Sequence, residues 1–367
     1  MFLRFVKKLR YLDLPLIASM LLLLFAGISS IYSTSLSNEN LSAFWKQLFF
    51  LFTGITLFFF FSFFDYHTLA KANRFFYVLL VFTLIYLLIF GADIRGGRRW
   101  LNLGFTQIQV AEFAKVIVLL GLSRLLYTKR GQINSWFTLF WSFAYAALPA
   151  FLVLIEPDFG SAMIILGLWI SLVIISPIKK RHLLIIFLVF VLSSGLAWKY
   201  FLKDFQKDRI MVFINPELDP KGRGYNVKQA TIAVGSGQVW GRGLAKGLQT
   251  QNKFLPESKT DFIFAATAEE YGFVGSMTIL GLYFFLLYRL LEIFKNAKDD
   301  LGMYIVAGVF FYILLHTLIN LGMNIGILPV TGIPLPFFSA GGSSLISVLI
   351  ALGIAENVNL ESKMLRF

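Results

Sequence analysis

Cysteine is absent from this 367-residue chain, which excludes disulfides, a thiolate metal site and a cysteine nucleophile while leaving the redox compartment open. Histidine occurs three times, which argues against a polyhistidine metal centre. Charge is scarce too: Asp, Glu, Lys and Arg make up 14% of the residues, against roughly 25% in a soluble domain. Most of the chain therefore faces something other than water. Apolar residues fill 57% of it, with 41 Phe among them. The remaining charge is unbalanced at +13. In a soluble protein that excess would suggest nucleic acid. Here the cations flank apolar runs and hold them in orientation, so no nucleic-acid partner is expected.

A bilayer core takes ~20 apolar residues of helix. Segments of that kind are predicted near 13–33, 44–64, 74–92, 108–127, 135–155, 159–177, 182–202, 262–290, 302–326 and 341–357. The expected fold class is all-α: a polytopic membrane protein of about ten transmembrane helices, forming a single integral membrane domain over 1–367. A long extracytoplasmic loop, 203–260, lies between helices seven and eight. Dense in Gly and basic residues, it is not expected to bury a core of its own, although Val227 to Val234 suits a short amphipathic helix stopped by Gly235 to Gly237. At the start, Phe2, Leu3, Phe5, Val6 and Leu9 alternate with Arg4, Lys7, Lys8 and Arg10, as in a short basic helix on an anionic leaflet. The apolar run that follows is too long for a cleavable signal.

Loop charge orients the helices. With the N-terminus in the cytoplasm, the inner flanks carry Arg4, Lys7, Lys8, Arg10, Lys71, Arg74, Lys129, Arg130, Lys179, Lys180, Arg181, Arg289, Lys295, Lys298, Lys363 and Arg366. The short outer loops carry only Lys46, Arg95, Arg98 and Arg99. The positive-inside rule then puts both termini in the cytoplasm, with 65–73, 128–134, 178–181 and 292–301 as inner loops.

Charges inside a bilayer are costly and so are candidates for function. Glu112 and Lys115 stand three residues apart and share a face near the outer end of segment four. They read either as a self-neutralising pair that snorkels outward or as a cation held for an anionic substrate. Asp261 opens segment eight; capping by it or by Thr260 would be worth ~1 kcal/mol. Capping alone does not call for an acid at the outer surface beside a basic loop. Glu269 and Glu270 follow two turns deeper, where at least one must face protein or water. Glu156 and Asp158 sit in E-P-D-F-G, which suits a tight turn and a helix cap. The run 332–344, G-I-P-L-P-F-F-S-A-G-G-S-S, is irregular backbone entering segment ten. Such backbone is tolerated near a membrane only when packed in protein or lining a cavity. Ser339, Gly341, Gly342, Ser343 and Ser344 there can offer NH and OH groups to a phosphate. The residues together describe an outward cavity for an amphiphilic anionic substrate, and leave the reaction open.

Those same residues carry a resemblance. G-S-G at 235–237, F-L-P-E at 254–257, T-D-F-I-F-A at 260–265, A-E-E-Y-G-F-V-G at 268–275 and L-P-V-T-G-I-P-L-P-F at 328–337 followed by S-A-G-G-S-S resemble the shape, elongation, division and sporulation (SEDS) family of peptidoglycan glycosyltransferases. N-P-E-L-D-P at 215–220, G-Y-N at 224–226, E-P-D-F-G and A-E-F-A-K at 111–115 extend the resemblance over nearly the whole chain. Q-T-Q at 249–251 is similar to the RodA-like elongation branch, where the division branch has S-x-Q-K. Two positions depart from the pattern: Val110 stands where the family has Pro, and Lys259 where it has His before T-D.

The resemblance implies polymerisation of lipid II into β-1,4-linked glycan strands at the outer face of the bacterial cytoplasmic membrane, during elongation. The donor is α-linked, so the displacement inverts. Asp261 matches the essential aspartate and would act as general base; Lys115 matches the lysine that stabilises the leaving pyrophosphate, and Glu112 a residue that organises that end of the cavity. Arg95, Arg98, Arg99, Asp158, Ser339 and Ser343 are the expected substrate-binding residues. No organic cofactor is implied, and a divalent cation, magnesium or manganese, can bridge the pyrophosphate. The expected partner is a class B penicillin-binding protein that crosslinks the strands within the elongation machinery. A lipid II flippase and a non-catalytic scaffold are the alternatives. Polar groups clustered at the outer side favour chemistry over transport, and no repeat suggests an inverted-repeat transporter.

Overall fold

The computed structural model describes residues 9–36, 40–91, 97–102, 104, 107–196, 199–200 and 204–364. Among the described residues, each apolar run expected from the sequence falls largely on a helix. These are α1 (Leu14–Leu36), α2 (Ser42–Phe63), α3 (Tyr66–Phe90), α4 (Val110–Thr128), α5 (Trp136–Ile155), α6 (Phe159–Ile175) and α7 (Lys180–Leu196). After three shorter helices, α8 (Asp204–Ile214), α9 (Arg223–Ser236) and α10 (Leu248–Gln251), come α11 (Ile263–Lys295), α12 (Asp300–Asn324) and α13 (Gly342–Met364). Among the described residues, seven helices are long and apolar enough to cross a membrane: α1, α2, α3, α5, α11, α12 and α13. Among the other apolar helices, α6 and α7 have 17 residues each, and α4 carries Glu112, Lys115 and Arg124. The chain is thus a polytopic, mainly helical membrane protein. The basic N-terminal stretch lies mostly outside the described residues.

Several boundaries differ from the sequence reading. Helix α3 begins about two turns early because Asp65 caps it, accepting from the backbone amides of His67 and Thr68. The expected inner loop 65–73 is therefore mostly helix. Between α3 and α4 a hairpin forms, β1 (Trp100–Asn102) antiparallel to β2 (Gln107–Gln109), with Trp100 opposite Gln109. Three-residue strands are too short to leave a period in the sequence.

Apolar packing joins the helices into two adjoining cores. One gathers α1, α2, α11, α12 and α13 around Phe58, Tyr283, Tyr312 and Leu352. The other gathers α3 to α6 around Leu84, Leu122, Ile165 and Leu172. Helix α13 is almost wholly enclosed, so its polar residues need partners within the protein. Asn357 accepts from the Tyr66 amide at 3.0 Å and donates to the Ser62 carbonyl at 2.8 Å. The Asp13 amide donates to Glu356 at 2.8 Å. Segment 203–260 does share in a small core: Ala230, Ala233 and Leu255 pack on Phe262, Ala265 and Ala266 at the start of α11. Helix α9 also starts earlier than its apolar residues suggested, at Arg223.

Helix α11 is broken. At Gly272 the backbone takes φ 66° and ψ −162°, a region that only glycine visits cheaply. The polar groups freed there are taken up by the preceding loop. Arg242 and Gly243 donate to the Glu269 and Glu270 carbonyls at 3.0 and 2.9 Å, while Phe273 and Val274 donate to Gln238 and Val239 at 2.8 and 3.1 Å. Both glutamates are buried. Glu269 accepts from the Gln249 amide at 2.8 Å and the Thr250 hydroxyl at 3.0 Å, and Glu270 from Ser33 and the Ala245 amide. They anchor the loop to α1 and α11. A Cβ on Gly272 would lie 2.2 Å from the Gly241 nitrogen as well as straining its φ. Gly272→Ala should therefore destabilise the protein by about 2 kcal/mol or more. Thermal melting of the detergent-purified variant checks this; an unchanged midpoint would contradict the break.

Candidate active site

A cavity of about 380 Å³ opens where the ends of α4, α6, α11 and α13 meet the loop before α13. That is within the range of ligand sites. Asp261, Asp158, Arg99, Gln109, Gly332 and Ser343 all line it. Acids and a cation thus share one polar wall, and the backbone at the start of α13 forms another part.

Asp261 stands two residues before α11. The N-cap position belongs to Phe262, so neither Asp261 nor Thr260 occupies it. The stretch Lys259–Asp261 has no regular structure to hold it, yet each of its carbonyls accepts a hydrogen bond. Ala340 donates from its amide to Lys259 at 2.8 Å. Ser339 donates its hydroxyl to Thr260 at 2.6 Å. Asn320 and Asn324, on α12, donate to Asp261 at 3.1 and 2.9 Å. Opposite the carboxylate, Gly332 sits at φ +74°, and a Cβ there would come within 3.5 Å of Asp261 Oδ2. The positive φ, which favours glycine, is what calls for this residue. Burial lowers the Lys259 amine below the ordinary lysine value.

Asp158 caps a helix, as its turn suggested, and also stands on the cavity wall. It caps α6 by accepting from the Ser161 amide at 3.0 Å, and its other oxygen accepts from Gln109 Nε2 at 2.7 Å on the cavity wall. The Gln109 amide in turn donates to Ser343 Oγ at 2.9 Å. Gln109 therefore ties the hairpin to both α6 and α13.

The remaining expected residues fall in different places. Ser339 is buried beneath the cavity surface, with its hydroxyl engaged by Thr260 and by the Leu335 amide at 2.8 Å, so it ties two loops together. Arg98 is exposed and does not line the cavity; Arg99 does. Arg95 lies outside the described residues. Glu112 and Lys115 are the snorkelling pair's opposite: 2% and 0% exposed, they meet at 2.6 Å within the protein. Lys115 Nζ also lies 3.3 Å from His316 Nε2. His316 Nδ1 is 3.2 Å from the Pro334 carbonyl, which can only accept, so Nδ1 is the donor there and Nε2 accepts a hydrogen bond from the Lys115 ammonium. Pro334 lines the cavity. A buried cation is thus linked to the cavity wall through one imidazole.

Sequence reading missed Gln47, Gln109, His316, Asn320 and Asn324. The last three recur every four residues in an otherwise apolar segment, a signal that one helix face meets polar groups in the protein.

Glu156 sits just behind Asp158, 1% exposed, and its carboxyl oxygens accept no hydrogen bond among the described residues. Its pKa is pushed up to about 8 by burial and then by the Asp158 charge, with Arg99 opposing. An acid that holds its proton more tightly when folded leaves stability untouched well below its ordinary 4.5, then subtracts from it as pH rises through about 8. Glu156→Gln removes that loss. Its melting temperature should match the wild type at low pH and exceed it increasingly towards pH 8; a difference independent of pH would refute the assignment.

Fold and site together define a polytopic helical membrane protein with a polar cavity built from helix ends. The cell cycle protein family of FtsW, RodA and SpoVE has a model that matches residues 9–364, and the chain belongs to that family. The peptidoglycan glycosyltransferase MrdB of Escherichia coli K12 is 35% identical over 292 residues, covering 79% of this chain and 78% of that protein. The Thermus thermophilus rod shape determining protein RodA superposes with a TM-score of 0.71 at 26% identity, over 95% of this chain and 96% of that one. A chain from a structure on the coordination of polymerization and crosslinking by a peptidoglycan synthase complex reaches 0.79 at 28% identity, covering 96% and 98%.

Proposed function

We propose that this chain is a peptidoglycan glycosyltransferase of the RodA type, polymerising lipid II at the outer face of the cytoplasmic membrane. The observation that carries this is the capture of every carbonyl from Lys259 to Asp261, which presents the Asp261 carboxylate to a polar cavity. A base held in that way loses little entropy when it meets its substrate. Asp261 accepts the proton of the acceptor's 4-hydroxyl as that oxygen attacks the anomeric carbon of the donor. The bond to undecaprenyl pyrophosphate breaks, and configuration inverts in one displacement. Arg99 and the amides at the start of α13 stabilise charge on the leaving group. Lys115 contributes its charge through His316 and the Pro334 wall, with Glu112 holding it in place.

A divalent cation, magnesium or manganese, would be carried largely by the pyrophosphate, since no group of three His, Asp or Glu converges for a metal among the described residues. The solved neighbour is part of a synthase complex, and a class B penicillin-binding protein of the elongation machinery is the partner this reading assigns.

The same reading takes α4, α6 and α7 as membrane spans beside the seven longer helices, with both termini cytoplasmic and the cavity outside. Ser258, close to the cavity, checks the orientation in this naturally Cys-free chain. Ser258→Cys should react with an impermeant maleimide added outside intact cells. Reaction from the cytoplasmic side only would overturn the topology.

Asp261→Asn tests the chemistry. Asn keeps the size of Asp and is a far poorer base, so strand synthesis should fall by about 10²–10⁴-fold while expression, thermal stability and lipid II binding stay close to wild type. A flippase or scaffold would be nearly indifferent to the swap. Polymerisation within a few-fold of wild type would remove Asp261 as the base.

A further inference from the structure

Helix α11 begins without a side-chain cap of its own, because Phe262 occupies the N-cap position. The first turn of a helix nevertheless leaves amides that need acceptors, most of all near a membrane. The acceptor comes from another helix: Asn324 Oδ1 of α12 takes the Ala265 amide at 2.9 Å. The nitrogen of the same side chain donates to the Asp261 carbonyl at 2.9 Å. One turn earlier, Asn320 donates to Asp261 at 3.1 Å and to the Ile333 carbonyl at 2.8 Å. One turn earlier again, His316 joins Lys115 to the Pro334 carbonyl. All three side chains are fully buried and stand at four-residue spacing on one face of α12.

We propose that Asn320 and Asn324 are positioning residues for the polymerisation step. Asn324 supplies the cap that a side chain at the N-cap position would otherwise supply, and the two asparagines together hold the Asp261 carbonyl, Asn320 tying it to the Ile333 carbonyl beside the Pro334 wall. His316 is the third rung of the same ladder, so one rigid helix face fixes the separation between the carboxylate and the buried Lys115 ammonium. This rests on the reading of Asp261 as general base and adds to it the residues through which that base is placed. The chemistry explains the choice of asparagine. A carboxamide donates and accepts at once without adding charge within the membrane, which Asp, Ser or Thr cannot match at this reach.

The test measures kcat and KM for strand synthesis by the purified full-length protein on lipid II, supplied with its cognate transpeptidase. Asn320→Ala and Asn324→Ala are compared alone and combined with Asp261→Asn. Asn320→Ala removes a 3.2 Å contact to Asn324 Nδ2 but leaves the Asn324 side chain that caps Ala265, so it reports even where Asn324→Ala folds poorly. Each single variant should lower kcat by roughly 10-fold or more with KM and lipid II binding little changed. In the Asp261→Asn background the same substitutions should cost almost nothing further, because the group they position is already gone. Full, multiplicative losses in that background would overturn the proposal. Loss of lipid II binding along with turnover in both variants would also overturn it, leaving the ladder a general strut. An active Asp261→Asn single variant would instead remove the underlying reading of the base, and is seen separately.

Discussion

Irregular backbone at the edge of a membrane keeps its shape only if the protein itself satisfies its polar groups. The stretch from Lys259 to Asp261 meets that demand with three carbonyls captured in succession, by the Ala340 amide, the Ser339 hydroxyl and the two asparagines of α12. The loop before α13 is held in its turn by Gln47 on α2, which takes the Gly341 amide at 3.1 Å and gives to the Ser339 carbonyl at 3.2 Å. The cavity therefore owes its shape to side chains that never reach its surface. Their removal would leave buried carbonyls without donors, at a cost of about 1–3 kcal/mol each. Such a surface is rigid before any substrate arrives, as electrostatic catalysis requires.

The buried Glu112–Lys115 pair belongs to the same economy of polar groups. Two charges within a helical core are tolerated because they neutralise each other, and breaking such a pair by removing one partner is far more damaging than its net worth suggests. The link through His316 to Pro334 gives the pair a route to the cavity that a snorkelling pair would lack. On the loop side, Glu269 and Glu270 perform a comparable task. They anchor 245–250 across the break in α11, so the long segment after α7 is docked onto the membrane helices.

Helix positions were legible because apolar runs of membrane length are hard to mistake, and Asp158 was legible as both a turn residue and a cavity residue. The break at Gly272 was hidden: A-E-E-Y-G-F-V-G continues an apolar helix pattern, and only the approach of 237–243 from elsewhere in the chain makes a broken helix favourable. Ser339 was read as facing substrate because a Gly- and Ser-rich run suggests phosphate; its hydroxyl turns inward because the Thr260 carbonyl needs a donor. Arg98 and Arg99 are neighbours in sequence, yet the strand beginning at Trp100 turns only the second into the cavity. The face of His316, Asn320 and Asn324 carried a readable spacing, but its partners lie far away in the chain, and no local pattern names them.

Reconstitution of the purified chain with lipid II and its cognate transpeptidase is the most direct measurement of the central claim. The account predicts lysozyme-sensitive β-1,4 glycan strands formed even when the transpeptidase is blocked by a β-lactam, and no strands when this chain is left out. Strands of equal amount and length without this chain, or lipid II translocated but never polymerised in its presence, would contradict it.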